Sequence, residues 1–492
     1  MRIERDSLGE MSIPDDAYWG INTARAMENF AISRRTISVY PDLLIAYAQV
    51  KQAAARANNE LGVLDDERAG LIDRACQDII DGELHEQFVV SVIQGGAGTS
   101  TNMNVNEVIA NRALDLAGRP FGDYEFISPN DHVNKSQSTN DTYPSAVKLS
   151  VAYGVYGLMQ EMRLLRNSFS QKGREFRDVL KVGRTQLQDA VPMTLGQEFR
   201  GFGTTIGEDV DRLEDVREML LELNLGATAI GTGIAASKGF GEAVMRHLRE
   251  ITGYEELRQA ADLIEATSDT GVFMSVSSAM KRAAMKLSKI CNDLRLLSSG
   301  PQTGLGEINL PAVQAGSSIM PGKVNPVIPE AVNQVAFIIA GADVTISMAS
   351  ESGQLQLNAF EPVMAHVLLQ NSTWLRRAVR TLRINCVDGI TANEERLRSQ
   401  VDQSVGVVTA LMPQLGYLNA AKLAKEALKG GTSIRDLVLD RGLLSESEVE
   451  RALEPSGLSG GIFDTGPMPR MTPELIAEME KRLDEADRHN EA

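Results

Sequence analysis

Apolar side chains recur every three or four residues over two long stretches of the chain, which is the spacing of the buried face of an α-helix. The first stretch follows Pro144. Its apolar positions at this spacing include Leu158, Met162, Leu165 and Phe169. The second stretch covers residues 261–297, where methionine and leucine lie among lysine and arginine. Helices this long, with apolar side chains on more than one face, pack inside a bundle or at a subunit interface.

Prolines divide the chain into regions. None occurs between Pro192 and Pro301, so this part can hold several long helices, because an interior proline costs a helix roughly 3 kcal/mol. Before Pro144, short helical patterns alternate with loops. We therefore predict a mainly all-α fold. The predicted domains are an N-terminal domain (1–141), a central long-helix bundle that carries a serine-containing loop (142–395), a small C-terminal helical domain (396–454), and a linker with a C-terminal tail (455–492).

Helix boundaries in the C-terminal part follow from small polar residues. The segment GGTS, residues 430–433, ends one helix and starts the next. Ser445 and Glu448 have the spacing of a capping box. We predict a linker at residues 455–469, because this segment is rich in glycine and proline. A last amphipathic helix is predicted with Thr472 as its N-cap and Pro473 at its first position. Its apolar face is predicted to carry Leu475, Ile476, Met479 and Leu483.

Composition and charge narrow the class of protein. Apolar residues make up 43% of the 492 positions and aromatic residues only 5%, which favours helix packing over a β-sandwich. The chain has 49 basic and 66 acidic residues. The resulting formal charge of −17 argues against nucleic-acid binding, because it repels the phosphate backbone. Three scattered cysteines without CxxC spacing favour reduced thiols and a cytoplasmic location. The N-terminus is charged, and the apolar run 335–342 is too short for a membrane span, so we expect a soluble protein.

The segment GSSIMPGKVNP, residues 316–326, concentrates chemistry in one loop. A phosphate loop is ruled out by spacing, because five residues separate Gly316 from Gly322 where four are needed, and Val324 stands where Ser or Thr would bind magnesium. Glycine and proline alone would also suit a mobile surface loop. Two serines, a lysine and an asparagine in the same loop instead indicate a functional site. These polar residues are Ser317, Ser318, Lys323 and Asn325.

Three further polar clusters lie beside predicted helix starts. Thr99 and Ser100 follow a glycine-rich turn, and Ser138, Thr139 and Asn140 precede a helix opened by residues 141–144. Thr185 and Gln186 follow Gly183. Small hydroxyls and amides at helix N-termini bind anions. The residues alone leave a second interpretation open, in which the segment STND is only a helix cap.

The serine loop resembles the signature loop of the aspartase/fumarase superfamily, and the resemblance extends to about residue 453. Four more segments carry it in the same order. They are GGAGTSTNMNVNE (95–107), SPNDHVNKSQSTND (128–141), GRTQLQDAVPMTLGQE (183–198) and GITAN (389–393). The resemblance implies a long helix bundle that forms a twenty-helix core in a homotetramer, with each active site drawn from three subunits.

The resemblance also implies roles for individual residues. Ser317 corresponds to the catalytic base, which acts as an alkoxide. Lys323 and Asn325 correspond to residues that hold the substrate α-carboxylate. Those expected at the β-carboxylate are Thr99, Ser138, Thr139 and Ser318, and those expected near the substrate ammonium are Asn140, Thr185 and Gln186. We expect no required cofactor and no built-in metal site, and activation by Mg²⁺ is left open.

The leaving group distinguishes the activities within the family. Ammonia leaves from a protonated amine without an acid, whereas hydroxide needs one. Fumarases typically place histidine where this chain has Gln186, and glutamine cannot titrate. We therefore expect elimination of ammonia from L-aspartate to give fumarate. The alternatives are a class II fumarase, a lyase for an N-substituted aspartate, or a non-enzymatic helical scaffold.

A histidine and a glycine-containing segment resemble functional motifs, but each also has a purely structural interpretation. His132 resembles part of a secondary dicarboxylate site in the family's fumarases, and a hydrogen-bonded loop histidine explains it equally well. The segment NLGATAIGTG, residues 224–233, lacks the spacing of a dinucleotide loop and is predicted to connect two helices.

Overall fold

The computed structural model describes residues 1–454 and 471–489, and the predicted linker at 455–469 lies outside the described residues. Helices dominate, so the predicted mainly all-α fold is confirmed. The N-terminal helices are α1 (Ile21–Asn29), α2 (Pro41–Glu60), α3 (Asp66–Ile80) and α4 (Thr99–Leu116). The central ones are α5 (Thr139–Glu175), α6 (Leu195–Met219), α7 (Phe240–Thr252), α8 (Leu263–Ser268), α9 (Gly271–Leu297), α10 (Val327–Glu351) and α11 (Glu361–Asn385). The C-terminal ones are α12 (Glu394–Gln403), α13 (Val408–Leu415), α14 (Tyr417–Gly430), α15 (Ile434–Asp440), α16 (Glu446–Leu453) and α17 (Pro473–His489).

Strands occur only in short pairs within the described part of the chain. The antiparallel pairs are β1 (Arg2–Asp6) with β2 (Gly9–Ile13), β3 (Leu180–Thr185) with β4 (Gln188–Thr194), and β7 (Ile308–Asn309) with β8 (Thr391–Ala392). The parallel pair is β5 (Glu222–Leu223) with β6 (Arg258–Gln259). The hydrophobic pattern did not predict these pairs. The β3–β4 hairpin matters most, because it carries two of the predicted site residues.

Five long helices form the bundle. Helix α5 packs against α6 and α11, and α10 packs against α9 and α11. The 37 residues of α5 correspond to a length of about 55 Å at 1.5 Å per residue. Its inward face is apolar, and Phe169 contacts Phe199 and Phe202 of α6 at ring-centroid distances of 6.1 and 5.7 Å. Burial of such side chains holds the bundle together.

The start of α5 differs from the prediction. The helix begins at Thr139, and Pro144 lies inside it. Pro144 has no N–H for the Asn140 carbonyl four residues earlier. Asn224 Nδ2 donates a hydrogen bond to that carbonyl at 3.0 Å instead. The helix therefore passes through its proline because a side chain from another segment replaces the missing donor.

The second predicted long helix, over residues 261–297, is also wrong in one respect. It breaks into α8 and α9 at Asp269 and Thr270. Asp269 has an extended backbone, and its carboxylate accepts a hydrogen bond from Gly271 N at 3.0 Å. Short polar side chains such as Asp stabilise a turn by bonding the nearby backbone, and this competes with the helix.

The C-terminal helices largely follow the prediction. Helix α14 ends at Gly430, with Gly431 at φ +68°, and the capping box of Ser445 and Glu448 is present at the start of α16. Thr472 precedes α17 and its hydroxyl accepts from Leu475 N. Leu483 is buried, whereas Leu475, two turns earlier on the same predicted face, is 46% exposed. A separate hydrophobic cluster spans residues 408–449, while the exact domain boundaries stay predictions.

A buried carboxyl group at the start of α11 gives the fold a pH dependence. Burial raises the pKa of Glu361 to about 8, opposed by the charge of Lys148. A folded-state pKa above the unfolded value means that stability falls as pH rises from about 4.5 to 8. In the wild type, this group should lower the free energy of unfolding by up to ~1.4 kcal/mol for each pH unit in this range. We expect Glu361→Gln, which cannot titrate, to abolish this dependence. Thermal melts at pH 5 to 8 check this, and parallel curves for variant and wild type would contradict it.

Candidate active site

The first group of predicted residues lies where α4 and α5 begin. Thr99 is the first residue of α4, and Ser138 is the N-cap of α5. Asn102, one turn into α4, donates from Nδ2 to Thr139 Oγ1 at 3.1 Å. This hydrogen bond joins the two helix starts directly. The structure therefore brings Thr99, Ser138, Thr139 and Asn140 into one region, where two helix N-termini present backbone N–H groups.

Glycine makes the entry to α4 possible. Gly96, Ala97 and Gly98 all have positive φ, at 88°, 53° and 89°. A Cβ at Gly98 would overlap the ring of Tyr143 in α5. The glycine-rich turn seen in the sequence thus lets the two helices approach closely, and it exposes the first residues of α4.

A capping box fixes the first turn of α5. Ser138 Oγ accepts from Asn140 N at 3.2 Å, and Asp141 Oδ1 accepts from Ser138 N at 2.9 Å. The other oxygen of Asp141 accepts from Gly226 N and Thr228 N at 3.1 and 3.0 Å. Burial raises the pKa of the Asp141 carboxyl to about 6, while these backbone donors oppose the shift.

The segment 224–233 lies between α6 and α7, as predicted, and it directly follows the short strand β5. It lies against the start of α5, because Asn140 Nδ2 donates to Ala229 O at 2.7 Å and Asp141 binds two of its backbone N–H groups. With the Asn140 nitrogen occupied in this way, its Oδ1 is the atom suited to a substrate ammonium. The sequence did not predict that this segment supports the site.

The second group, Thr185 and Gln186, lies on the β3–β4 hairpin. Gln186 and Leu187 form its turn, and both have left-handed backbones with φ of 54° and 63°. Non-glycine residues pay roughly 1–2 kcal/mol each for this conformation. Leu187 is 70% exposed, so the turn projects from the chain. A strained, exposed turn that carries an amide and a hydroxyl is typical of a functional segment.

Buried ion pairs hold the base of this hairpin. Glu307 is fully buried and pairs with Lys181 Nζ at 2.9 Å and with Arg184. Lys181 also pairs with Glu198 of α6 at 2.6 Å, and burial raises the pKa of Glu198. These residues fix the hairpin to the α9–α10 connection. Sequence analysis gave none of them this role, because the sequence does not show which charged side chains pair in the fold.

The serine loop closes on itself. Gly316 N donates to Lys323 O at 2.8 Å, and Asn325 Nδ2 donates to Gly316 O at 2.6 Å. Ser317 Oγ accepts from Ile319 N and Met320 N at 3.2 and 3.0 Å. Two backbone N–H groups aimed at one oxygen stabilise negative charge on it. The loop thus places two donors at the Ser317 hydroxyl oxygen, while the Asn325 amide nitrogen donates within the loop itself.

A cavity of about 380 Å³ lies inside this loop. Its walls include Ser317 and Lys323 together with Gly316 and Gly322. Ile319 is 83% exposed in the single chain, so the outer part of the loop has little protein around it. The remaining predicted residue, Ser318, follows Ser317 in the same loop. The loop therefore places the Ser317 hydroxyl and the Lys323 side chain next to an open space.

The predicted residues lie at two ends of the bundle. The Ser138 group starts α5, and the segment 224–233, which follows α6, returns to it. The β3–β4 hairpin follows the C-terminal end of α5. Glu307, which precedes the serine loop in the chain, forms ion pairs with Lys181 and Arg184 of this hairpin. About 55 Å of helix separates the two ends. Within one chain, therefore, Thr99 and Ser138 lie at one end of α5, whereas the hairpin and the segment that leads into the serine loop lie at the other end.

His132 is held within its own loop. His132 Nδ1 accepts from Ser128 N at 2.8 Å, and burial lowers its pKa, so the neutral ring is a hydrogen-bonded part of its loop. Within residues 1–454 and 471–489, no group of three or more His, Cys, Asp or Glu side chains is arranged for a metal ion.

Comparisons with known proteins agree with this architecture. A family model described as "Lyase" matches residues 9–341, and one described as "Fumarase C C-terminus" matches residues 407–460. An aspartate ammonia-lyase of Pseudomonas aeruginosa is 54% identical over 93% of this chain and 96% of its own length. One of Escherichia coli is 51% identical over 92% and 94%.

Solved structures give the same result. A fumarate lyase:delta crystallin of Brucella melitensis has a TM-score of 0.90 at 53% identity, covering 94% of this chain and 99% of the other. A class II fumarase of Schistosoma mansoni has a TM-score of 0.86 at 35% identity, covering 93% and 99%. The chain belongs to the aspartase/fumarase family of lyases. The predicted family and enzyme class are confirmed.

Proposed function

We propose that the protein is an aspartate ammonia-lyase, which eliminates ammonia from L-aspartate to give fumarate. The observation that carries this proposal is the set of relatives with that name, which are 51–54% identical over 92–94% of the chain. Gln186 at the hairpin turn supports it, because an amide cannot protonate a leaving hydroxide. Ammonia needs no such acid, since it leaves from an amine that is already protonated.

In the proposed mechanism Ser317 is the base. Its alkoxide takes one β-proton of aspartate, and the electron pair of that C–H bond moves into the β-carboxylate to form an aci-carboxylate. The pair then forms the carbon–carbon double bond while the C–N bond breaks and ammonia leaves. The backbone N–H groups of Ile319 and Met320 at Ser317 Oγ support this role. Donors at the β-carboxylate must stabilise the charge that develops there.

The binding residues divide according to the substrate group that they hold. Lys323 and Asn325 are proposed to hold the α-carboxylate. Thr99, Ser138, Thr139 and Ser318 are proposed to hold the β-carboxylate, and Asn140, Thr185 and Gln186 to surround the ammonium. Helix N-termini beside Thr99 and Ser138 suit a carboxylate, because the helix dipole places partial positive charge there.

We further propose a homotetramer in which each site combines three subunits. The separation of Ser138 from the serine loop along α5 supports sharing of the site between subunits, since a single chain cannot close it, and the number three is what the family resemblance implies. Helix α10 supports it as well: Val327–Glu351 is the one described helix long and apolar enough to cross a membrane, and it packs in the bundle. Its outward side chains Phe337, Val344 and Met348 are 58–66% exposed in the single chain. A neighbouring subunit would cover this apolar surface.

The reaction as proposed needs no organic cofactor, because proton and amine leave from one substrate. The substrate and products are small molecules, and no nucleic-acid or membrane partner is proposed. We place the protein in the cytoplasm, since its cysteines are scattered, free and buried. Activation by Mg²⁺ is left as a question for the same assay.

Ammonia release from a panel of substrates tests the function. We expect turnover of L-aspartate, with fumarate as the second product, to exceed ammonia or fumarate formation from argininosuccinate and hydration of fumarate to malate. The assay covers pH 6 to 9.5, with and without Mg²⁺. Absence of both ammonia and fumarate from aspartate over this whole range would overturn the proposal. Faster fumarate hydration than aspartate turnover would establish the fumarase alternative.

A further inference from the structure

A buried lysine lies beneath the starts of α4 and α5. Lys51 of α2 is 0% exposed, and its ammonium donates to Asn134 Oδ1 at 2.9 Å and to Gln137 Oε1 at 3.0 Å. Both acceptors are neutral amide oxygens. A buried ammonium without a contacting carboxylate is unusual, because burial of a charge is costly unless a partner compensates it.

Hydrogen bonds lead from Lys51 to a predicted substrate residue. Asn134 Oδ1 also accepts from Asn102 Nδ2 at 3.2 Å and from Asn106 Nδ2 at 3.1 Å. Asn102 Nδ2 in turn donates to Thr139 Oγ1 at 3.1 Å. The relay Lys51–Asn134–Asn102–Thr139 therefore connects the buried charge to the hydroxyl at the start of α5.

The ammonium fixes the direction of every bond in this relay. It has hydrogens only to donate, so Asn134 must turn its oxygen toward Lys51. The neighbouring Asn102 must then present its NH₂ group to that oxygen. The Asn102 oxygen agrees, because it accepts from the hydroxyl of Tyr47 at 3.4 Å. Thr139 Oγ1 thus receives a hydrogen from Asn102 and keeps its own to donate toward the substrate side.

We propose that Lys51 is a positioning residue for the β-carboxylate site: its charge orients the relay so that Thr139 acts as a donor, and that charge is compensated when a dicarboxylate binds. This rests on the proposed function, because it uses Thr139 as a substrate residue. Lys51 itself does not touch the substrate. It acts through Asn134 and Asn102, and a neutral side chain of the same length would leave both amides free to reverse.

The ionisation of Lys51 provides a readout. Burial lowers the pKa of Lys51 to about 7, opposed by the charge of Asp141 of α5. The ring of Tyr47 lies 5.8 Å from its Nζ, and burial keeps the Cys76 thiol neutral by raising its pKa. A bound carboxylate favours the charged form and raises the pKa. Binding should therefore take up a proton above pH 7, and affinity should fall as pH rises from 7.

Calorimetric titration with succinate tests this on the wild-type protein. Succinate has both carboxylates and no leaving group. Heats measured in two buffers of different ionisation enthalpy give the number of protons taken up. We expect almost none at pH 6 and nearly one per site at pH 8. Wild-type protein that releases ammonia from aspartate, yet takes up no proton at pH 8, would overturn the role of Lys51 while leaving the proposed function intact.

Two variants separate positioning from a general structural role. Lys51→Met should bind succinate about ten- to a hundredfold more weakly at pH 6, the size of a lost charged hydrogen bond, and should take up no proton at pH 8. Lys148→Met is the matched control. Lys148 is also buried, with a lowered pKa, but it donates to Glu222 O outside the relay. It should keep the wild-type uptake, and a loss there, or uptake retained in Lys51→Met, would contradict the proposal.

Asn134→Asp provides a second test that does not depend on the folding of Lys51→Met. The new carboxylate has the same shape and still accepts from Lys51. It would hold the ammonium charged before the ligand arrives, because a contacting opposite charge raises the pKa of a lysine. Proton uptake at pH 8 should disappear. Uptake equal to that of the wild type would overturn the proposal.

Discussion

Replacement of Ser317 by alanine is expected to lower kcat for L-aspartate by about a thousandfold or more, which is the contribution of a well-placed general base. The change removes Oγ, the atom on which the N–H groups of Ile319 and Met320 converge. The loop itself should persist, because the Gly316–Lys323 and Asn325–Gly316 hydrogen bonds do not involve Ser317. Measurement of kcat, together with the binding of succinate, checks this: succinate affinity should change little.

Mixed tetramers distinguish loss of the base from loss of the fold. Ser317→Ala and Thr139→Val alter opposite ends of the bundle, so both homotetramers should be impaired. If each site combines subunits, tetramers reassembled from both variants contain some sites with every native residue, and part of the activity returns. Ser317→Ala protein with wild-type turnover would remove Ser317 from its role. Mixtures without any recovery would argue against shared sites.

The sequence predicted the fold class because helix formation leaves a local trace. Apolar spacing located the long helices, and the Ser445–Glu448 capping box is where three-residue spacing placed it. The predicted helix boundaries were wrong where residues distant in the sequence determine whether a helix continues. Helix α5 passes through Pro144 only because Asn224, eighty positions later, supplies the missing donor. No window of sequence around Pro144 contains that information.

In the candidate site, too, some residues could be predicted from local sequence motifs and others could not. Glycine-rich and hydroxyl-rich motifs identified the segments that present polar groups, and their family resemblance suggested the roles, which stay predictions. The supports behind them were not predictable. Glu307 and Lys181 hold the hairpin through buried pairs, and Lys51 reaches Thr139 through two amides. Each of these is a single charged residue in an otherwise apolar or mixed segment, and only tertiary packing gives it a partner.

Replacement of Asp141 by alanine is expected to destabilise the protein by about 4 kcal/mol or more. The side chain is fully buried and accepts from three backbone N–H groups, those of Ser138, Gly226 and Thr228. A buried donor left without a partner costs roughly 1–3 kcal/mol. The same change removes two of the hydrogen bonds that hold the segment 224–233 against α5, so KM for aspartate should rise in any protein that folds. Urea unfolding and steady-state kinetics measure the two effects.

A second capping box in the chain provides the control. Glu448 accepts from Ser445 N at 2.8 Å, as Asp141 accepts from Ser138, but it lies on the exposed surface of α16. Water can solvate the N–H that Glu448→Ala releases, so this variant should lose no more than ~1 kcal/mol. The two variants should differ in how much unfolding free energy they lose. This difference measures the effect of burying the Asp141 carboxylate and of its hydrogen bonds to the segment 224–233. Equal losses would mean that Asp141 is only a helix cap, and that the start of α5 keeps its place without the segment that packs against it.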